Sequence, residues 1–140
     1  MVVLNQDNLR KLQAIPSEKV YEKIINAIEL CNPDSVFVCT DSSEDIEYIR
    51  KMAIKTGEEA PLNLEGHTIH YDGAEDQARD TVQTKYLVPR GDNLGANLNQ
   101  MNRAQGLEEI NGFFKDSMKG KQMIVRFFCL GPTGSPFSIP

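Results

Sequence analysis

At 140 residues, with 40% hydrophobic and 25% charged side chains, the chain has the size and make-up of one soluble globular domain able to bury a core. A formal net charge of −5 argues against a broad nucleic-acid-binding surface, and no apolar run approaches a membrane helix in length. Asn5, Gln6, Asp7 and Arg10 follow a short apolar start that lacks a signal-peptide core, so the expected compartment is cytoplasmic, with neither nucleic acid nor membrane as partner.

Asn5 or Asp7 is placed to cap a short helix through Leu9, Leu12 and Ile15, stopped by Pro16. Ser17 opens a second helix, in which Val20, Ile24, Ala27, Ile28 and Cys31 recur at three- and four-residue steps on one face. Asn32-Pro33-Asp34 breaks that helix, and Ser35 to Cys39 has the composition of a short strand. The hydroxyl and carboxylate side chains from Thr40 to Glu44 can cap a third helix with a buried stripe of Ile46, Ile49, Met52 and Ala53. Helix, strand and helix in quick succession is the pattern of an α/β protein.

Gly57 to Leu64 reads as a connection, and Gly66 to Gly73 as a short strand ending in an Asp-Gly turn. His67 and His70 fall on opposite faces of such a strand, which counts against a shared metal ion. Glu75 to Asp80 is a charged turn or single helical turn, and Thr84 to Val88 a strand closed by Pro89. From Arg90 to Gln105 the chain is rich in Gly and Asn, and a connection of that length is expected to be functional or mobile. Leu107, Ile110, Phe113 and Phe114 then mark a helix from Gly106 to Phe114, after which Ser117 to Gly120 turns the chain. Cys31, Cys39 and Cys129 have unrelated spacings and no CxxC pair, as expected of buried free thiols.

Met123, Ile124, Val125, Phe127, Phe128, Cys129 and Leu130, interrupted once by Arg126, read as a central strand covered on both faces. Alternation puts Arg126 on the face of Ile124, Phe128 and Leu130, where it needs a carboxylate, a carbonyl or a wet cleft; an internal ion pair is preferred to a ligand contact. Gly131-Pro132-Thr133-Gly134-Ser135-Pro136 then forms a shaped turn at the strand's carboxyl end, where open α/β sheets place ligands.

No Ser/His/Asp order, HExxH, fixed carboxylate dyad or GxxxxGKS/T loop is present. What remains is a set of cations near turns: Arg79, Lys85, Arg90, Lys119 and Lys121. Arg79 could grip a carboxylate or phosphate through two parallel hydrogen bonds, but on the residues alone a solvated pair with Asp76 or Asp80 is the preferred reading. Taken by themselves the residues define an α/β domain (α+β as the alternative), a mixed β-sheet with flanking helices and a candidate anion pocket.

Three segments add more. Cys31-Asn32-Pro33-Asp34-Ser35-Val36-Phe37-Val38-Cys39 with the acidic Ser42-Ser43-Glu44 turn resembles the amino-terminal signature of the GTP-dependent phosphoenolpyruvate carboxykinases. Met118-Lys119-Gly120-Lys121, an apolar strand and Gly131-Pro132-Thr133-Gly134-Ser135-Pro136-Phe137-Ser138 are similar to that family's MKG...GPxGSPxS element. Ala78-Arg79, with Thr84 opening a strand, stands where the family has its Ala-Arg segment, so the resemblance extends over most of the chain from about Ser17.

The resemblance implies that residues 1–140 are an incomplete amino-terminal, substrate-side domain of a larger two-lobed enzyme, with the nucleotide-binding domain outside this chain. Such an enzyme is a decarboxylating lyase of gluconeogenesis. It converts oxaloacetate to an enolate stabilised by manganese (or magnesium), and the enolate takes the γ-phosphoryl group of GTP to give phosphoenolpyruvate. The resemblance assigns Arg79 to the substrate carboxylate, reversing the surface reading, and implies no catalytic, nucleotide-binding or metal-binding residue within these positions. The expected partners are oxaloacetate or phosphoenolpyruvate and the remainder of the parent enzyme, and the 140 residues alone are expected to be inactive. Ile139-Pro140 and the Arg90 to Gln105 segment depart from the family pattern, as in a divergent, archaeal-like branch. The alternatives are a non-catalytic α/β anion-binding module and a carboxykinase-like enzyme with another phosphoryl donor.

Overall fold

A computed structural model describes residues 4–73, 80 and 83–138. They form a mixed α/β fold of four helices and six short strands, in two compact units: Met1–Ala53 with Asp116–Pro140, and Ile54–Lys115. The strands pair as three two-stranded ladders, two parallel and one antiparallel. Among the described residues, no helix is long and apolar enough to cross a membrane.

In the first unit, α1 (Gln6–Gln13) starts where the Asn5 side chain accepts the Asn8 backbone N–H at 2.8 Å; Asp7 lies in the first turn, where its charge suits the helix dipole. Helix α2 (Glu18–Cys31) ends at Asn32, whose left-handed φ of 54° lets its N–H reach the Ile28 carbonyl at 2.9 Å. Strand β1 (Ser35–Val38) runs parallel to β6 (Gln122–Val125), with Val36 opposite Met123 and Val38 opposite Val125. Val36, Val38 and Met123 join Leu12, Ile28 and Cys31 in the buried core. The buried Asn8 side chain accepts the Val38 N–H at 2.7 Å, so α1 supplies an acceptor to β1 away from its β6 ladder. Helix α3 (Ser43–Thr56) follows; Tyr48 stacks on Phe37 at 4.2 Å between centroids and donates to Gln122 Oε1 at 2.7 Å.

The terminal apolar run corrects the expectation of a long central strand. The ladder's last bond is Cys39 N–H to the Val125 carbonyl at 2.9 Å; beyond it β1 gives way to the turn at Thr40, and among the described residues the β1/β6 pairing stops at Val125. Alternation survives inside β6, with Met123 buried and Ile124 40% exposed, but Phe127, Phe128 and Leu130 are 51%, 73% and 75% exposed. Arg126 is therefore exposed too; its guanidinium lies over the Phe128 ring, 5.1 Å from the centroid, and there is no burial for an ion pair to offset. The α3 stripe is likewise shallower than expected: Ile46 is exposed, and the buried residue of that helix is Asp45.

In the second unit, β2 (Ala60–Pro61), within the stretch read as a connection, pairs antiparallel with β3 (Thr68–Ile69). Strand β4 (Tyr86–Val88) pairs parallel with β5 (Gln100–Asn102), and α4 (Arg103–Phe114) follows directly. Arg90 to Gln105 is thus not a structureless connection. Gln100 ties its own loop, accepting from Leu94 N–H at 2.9 Å and donating to Asn93 Oδ1 at 2.8 Å, which is what the amide-rich composition is for. Gly106 is buried against Leu87: a Cβ there would overlap the Leu87 Cδ2 methyl and meet Cγ at 3.3 Å.

Candidate functional site

The two segments that carry most of the resemblance meet in space. Asp116 and Met118 donate their backbone N–H groups to the Leu30 and Cys31 carbonyls at 2.9 and 3.0 Å. Asp34 closes the junction from the other direction: its N–H donates to the Lys121 carbonyl at 2.9 Å, and its carboxylate accepts the Gly120 N–H at 2.9 Å. Gly120, at φ 76°, adopts the left-handed turn this needs. Asn-Pro-Asp and Met-Lys-Gly-Lys are therefore one clasp that sets the β1/β6 register.

At the carboxyl end of β1 the turn is organised by Asp45, 8% exposed. Its Oδ2 accepts from Thr40 N–H at 2.8 Å and Thr40 Oγ1 at 2.7 Å, and Lys11 Nζ donates to both carboxylate oxygens at 2.9 Å. Ser42 caps α3 by accepting the Asp45 N–H on its hydroxyl at 3.2 Å. Burial would raise the Asp45 carboxyl, but the hydrogen bonds from Lys11 and Thr40 outweigh it and hold the pKa at about 2. Lys11 is raised, chiefly by its bond to Asp45 and against its own desolvation. Both carboxylate oxygens are committed to fixed donors, which makes Asp45 a positioning group and not a proton carrier. Ser42 lies within the Thr40 to Glu44 stretch expected to cap this helix, but Asp45 was not singled out, and the contribution of Lys11 from α1 had no local signal.

Beyond β6, the glycine-proline corner is a double turn: Ser135 N–H donates to the Pro132 carbonyl at 3.3 Å, and Ser138 N–H to the Ser135 carbonyl at 3.1 Å. The Ser138 hydroxyl also donates to the Pro132 carbonyl. Gly131 and Gly134 hold φ of 106° and 78°, and a Cβ on Gly131 would stand 3.0 Å from Ser138 Oγ. The shaped turn expected here is present.

Arg79, assigned to the substrate carboxylate, lies outside the described residues. Asp80, next in sequence, launches the approach to β4: its carboxylate accepts the Gln83 N–H at 2.8 Å and its carbonyl the Thr84 N–H at 3.0 Å. Of the other cations, Lys119 pairs with Asp116 at 3.1 Å. Lys85 lines a largely apolar hollow of about 570 Å³ with Leu87, Met101, Ile110 and Phe113. Arg90 and Arg103 line a cleft of about 720 Å³ at the start of α4, whose first turn holds no acidic residue. Cys31 and Cys39 are buried free thiols, whereas Cys129 is half-buried.

The histidines belong to their hairpin. His67 Nδ1 meets the Glu65 carbonyl at 3.0 Å, while His70 Nδ1 meets the Glu58 carbonyl at 2.5 Å and its Nε2 the Asp72 carboxylate at 3.2 Å. The Glu58 carbonyl, then Asp72, raise the His70 pKa above its ordinary value. Among the described residues no three His, Cys, Asp or Glu side chains converge on a metal position.

The two clasped segments lie on a mixed α/β scaffold; the family model for the phosphoenolpyruvate carboxykinase N-terminal domain matches residues 23–140, and the chain belongs to that family. It is 50% identical over 137 residues to a phosphoenolpyruvate carboxykinase (GTP) of Thermococcus sibiricus, and 48% identical over 138 residues to one of Pyrococcus horikoshii. These alignments cover 98% and 99% of the chain but 22% of each relative. A more distant relative of the same name, from Chlamydia caviae, is 28% identical over 128 residues, covering 89% of the chain and 21% of that protein.

Proposed function

We propose that the chain is the amino-terminal, substrate-side part of a GTP-dependent phosphoenolpyruvate carboxykinase, interconverting oxaloacetate and phosphoenolpyruvate plus carbon dioxide, and that Arg79 binds the substrate carboxylate. The observation that carries this reading is the 50% identity over 98% of the chain to a relative bearing that name. The chemistry agrees with it: a planar, permanently charged guanidinium can fix a small dianion by paired hydrogen bonds, holding it in reacting geometry before carbon dioxide leaves. Residues 1–140 then form a partial domain, and the nucleotide-binding domain lies downstream.

When bound in the parent enzyme, manganese or magnesium would supply Lewis-acid stabilisation of developing negative charge and GTP would supply the phosphoryl group. Among the described residues no three His, Cys, Asp or Glu side chains converge on a metal position, and in this reading the metal and nucleotide sites belong to the downstream part of the parent enzyme. Within this chain, Asp45 and the Asp34 clasp position the sheet, the glycine-proline corner stands behind the substrate, and the compartment is the cytoplasm. The test is phosphoenolpyruvate formation by the full-length protein from oxaloacetate with GTP and manganese. Turnover with GTP is expected; turnover with pyrophosphate and not GTP would transfer the reading to another donor, and no turnover with any donor would overturn it.

A further inference from the structure

The β2/β3 hairpin is held by little backbone. Its ladder pairs Ala60 with Ile69 and Pro61 with Thr68 and goes no further, and Pro61 has no N–H to donate. Inside the loop, Leu62 N–H donates to the His67 carbonyl at 2.9 Å. At the open end, just past the ladder, a side chain joins the two arms. His70 Nδ1 lies 2.5 Å from the carbonyl of Glu58, on the arm leading into β2, and its Nε2 lies 3.2 Å from Asp72 Oδ1, on its own arm. The ring is 49% exposed, so it exchanges protons freely with solvent.

These two neighbours dictate the state of the ring. A carbonyl oxygen can only accept, and so can an ionised carboxylate, so both ring nitrogens must donate for both contacts to form. Imidazolium does this; neutral imidazole has one N–H, and the charged acceptor Asp72 holds it more strongly than the carbonyl does. We propose that His70 is a proton-operated latch, which when protonated ties the Glu58 arm to the Asp72 arm and when neutral releases the Glu58 arm. The charged groups acting on the ring are the carboxylates of Asp72 and Glu58, and both favour the cation. The bond to the Glu58 carbonyl, then that to Asp72, raise the His70 pKa above its ordinary 6.5. The latch is therefore complete below 6.5 and is lost as pH rises through the higher value of the folded protein.

The experiment is hydrogen exchange on the full-length protein from about pH 5 to about pH 9, read by mass spectrometry at two places. Exchange at the imidazole C2–H of His70 reports its protonation. The amides of the peptide carrying Leu62, corrected for the intrinsic effect of pH, report closure of the hairpin. The His70 midpoint is expected to lie above that of the same residue in urea and to fall in Asp72→Asn. Amide protection should drop about threefold across the midpoint, the scale of one exposed charged contact, and should be flat with pH in His70→Gln. A His70 midpoint equal to that in urea would overturn the proposal. A raised midpoint with constant amide protection would overturn it too, because the proton would then leave the hairpin unchanged. A drop that persists in His70→Gln would assign the pH dependence to another group and remove the latch. Neither readout depends on catalysis.

Discussion

Lys11 on α1 and Asp45 on α3 form a two-pronged ion pair, with Nζ 2.9 Å from each carboxylate oxygen, that pins the turn leaving β1. The same carboxylate accepts the N–H and hydroxyl of Thr40, so helix, turn and helix share one charge. Asp45→Ala leaves the half-buried Lys11 ammonium with Asp7 alone, at 3.4 Å, and frees the Thr40 N–H, and should cost about 2 to 3 kcal/mol. Lys11→Met leaves the Thr40 bonds in place and should cost less. Urea midpoints of the two variants check this; an equal or larger loss for Lys11→Met would mean that the Thr40 bonds contribute little.

The pair also fixes a pH window. The Asp45 carboxyl is lowered from 3.8 to about 2, so its contribution is complete above pH 4 and is lost as pH falls from there through 2. The size is about 2 kcal/mol. A carboxyl NMR titration of Asp45 should give a midpoint near 2 in the folded protein; a midpoint near the ordinary carboxylate value would show the hydrogen bonds to be absent in solution.

Asn8 tests how the edge of β1 is protected. Its side chain accepts the Val38 N–H at 2.7 Å and donates to Asn5 Oδ1 at 2.9 Å, at 4% exposure. Asn8→Ala leaves a buried N–H unpaired and should cost roughly 2 kcal/mol, with faster amide exchange at Val38. Unchanged exchange there would mean that water takes the place of the amide.

Gly106 and Leu87 should be coupled. An alanine at 106 gains about 1 kcal/mol of helix propensity but collides with Leu87. In a double-mutant cycle Gly106→Ala should be more favourable by about 1 kcal/mol or more in a Leu87→Ala background. Additivity would show that Leu87 simply rotates away.

What could be read from the residues follows the range of the forces involved. Helices α1 and α2 announced themselves through local signals: the Asn5 cap, Ser17 at the N-terminal boundary of α2, where its side chain makes no cap bond, and the Val20 to Cys31 stripe. The α/β class held for the same reason. The end of β6 did not show, because the pairing stops where β1 gives way to the turn at Thr40, a turn held by Asp45 and, through it, by Lys11 from another helix. Strands β2 and β5, Ala-Pro and Gln-Met-Asn, lack branched or aromatic residues and exist through their partners. The Asp34 and Met118 to Lys121 segments were legible as motifs, but their contact was not, since a clasp between residues so far apart leaves no periodic trace.

Arg79 carries the most consequential prediction. If its guanidinium holds the substrate carboxylate, Arg79→Ala in the full-length enzyme removes a charge-assisted contact made to phosphoenolpyruvate and oxaloacetate but not to nucleotide. The KM for phosphoenolpyruvate should rise about tenfold to a hundredfold, from roughly 1.5 to 3 kcal/mol of lost charged hydrogen bonding, while that for the nucleotide stays within about twofold. Arg79→Lys keeps the charge but loses the planar fork, and should recover part of the affinity. A surface pair with Asp76 or Asp80 predicts something else: a small stability change at most and no separation of the two Michaelis constants. Equal effects on both substrates, or none, would take Arg79 out of the site and leave the family membership untouched.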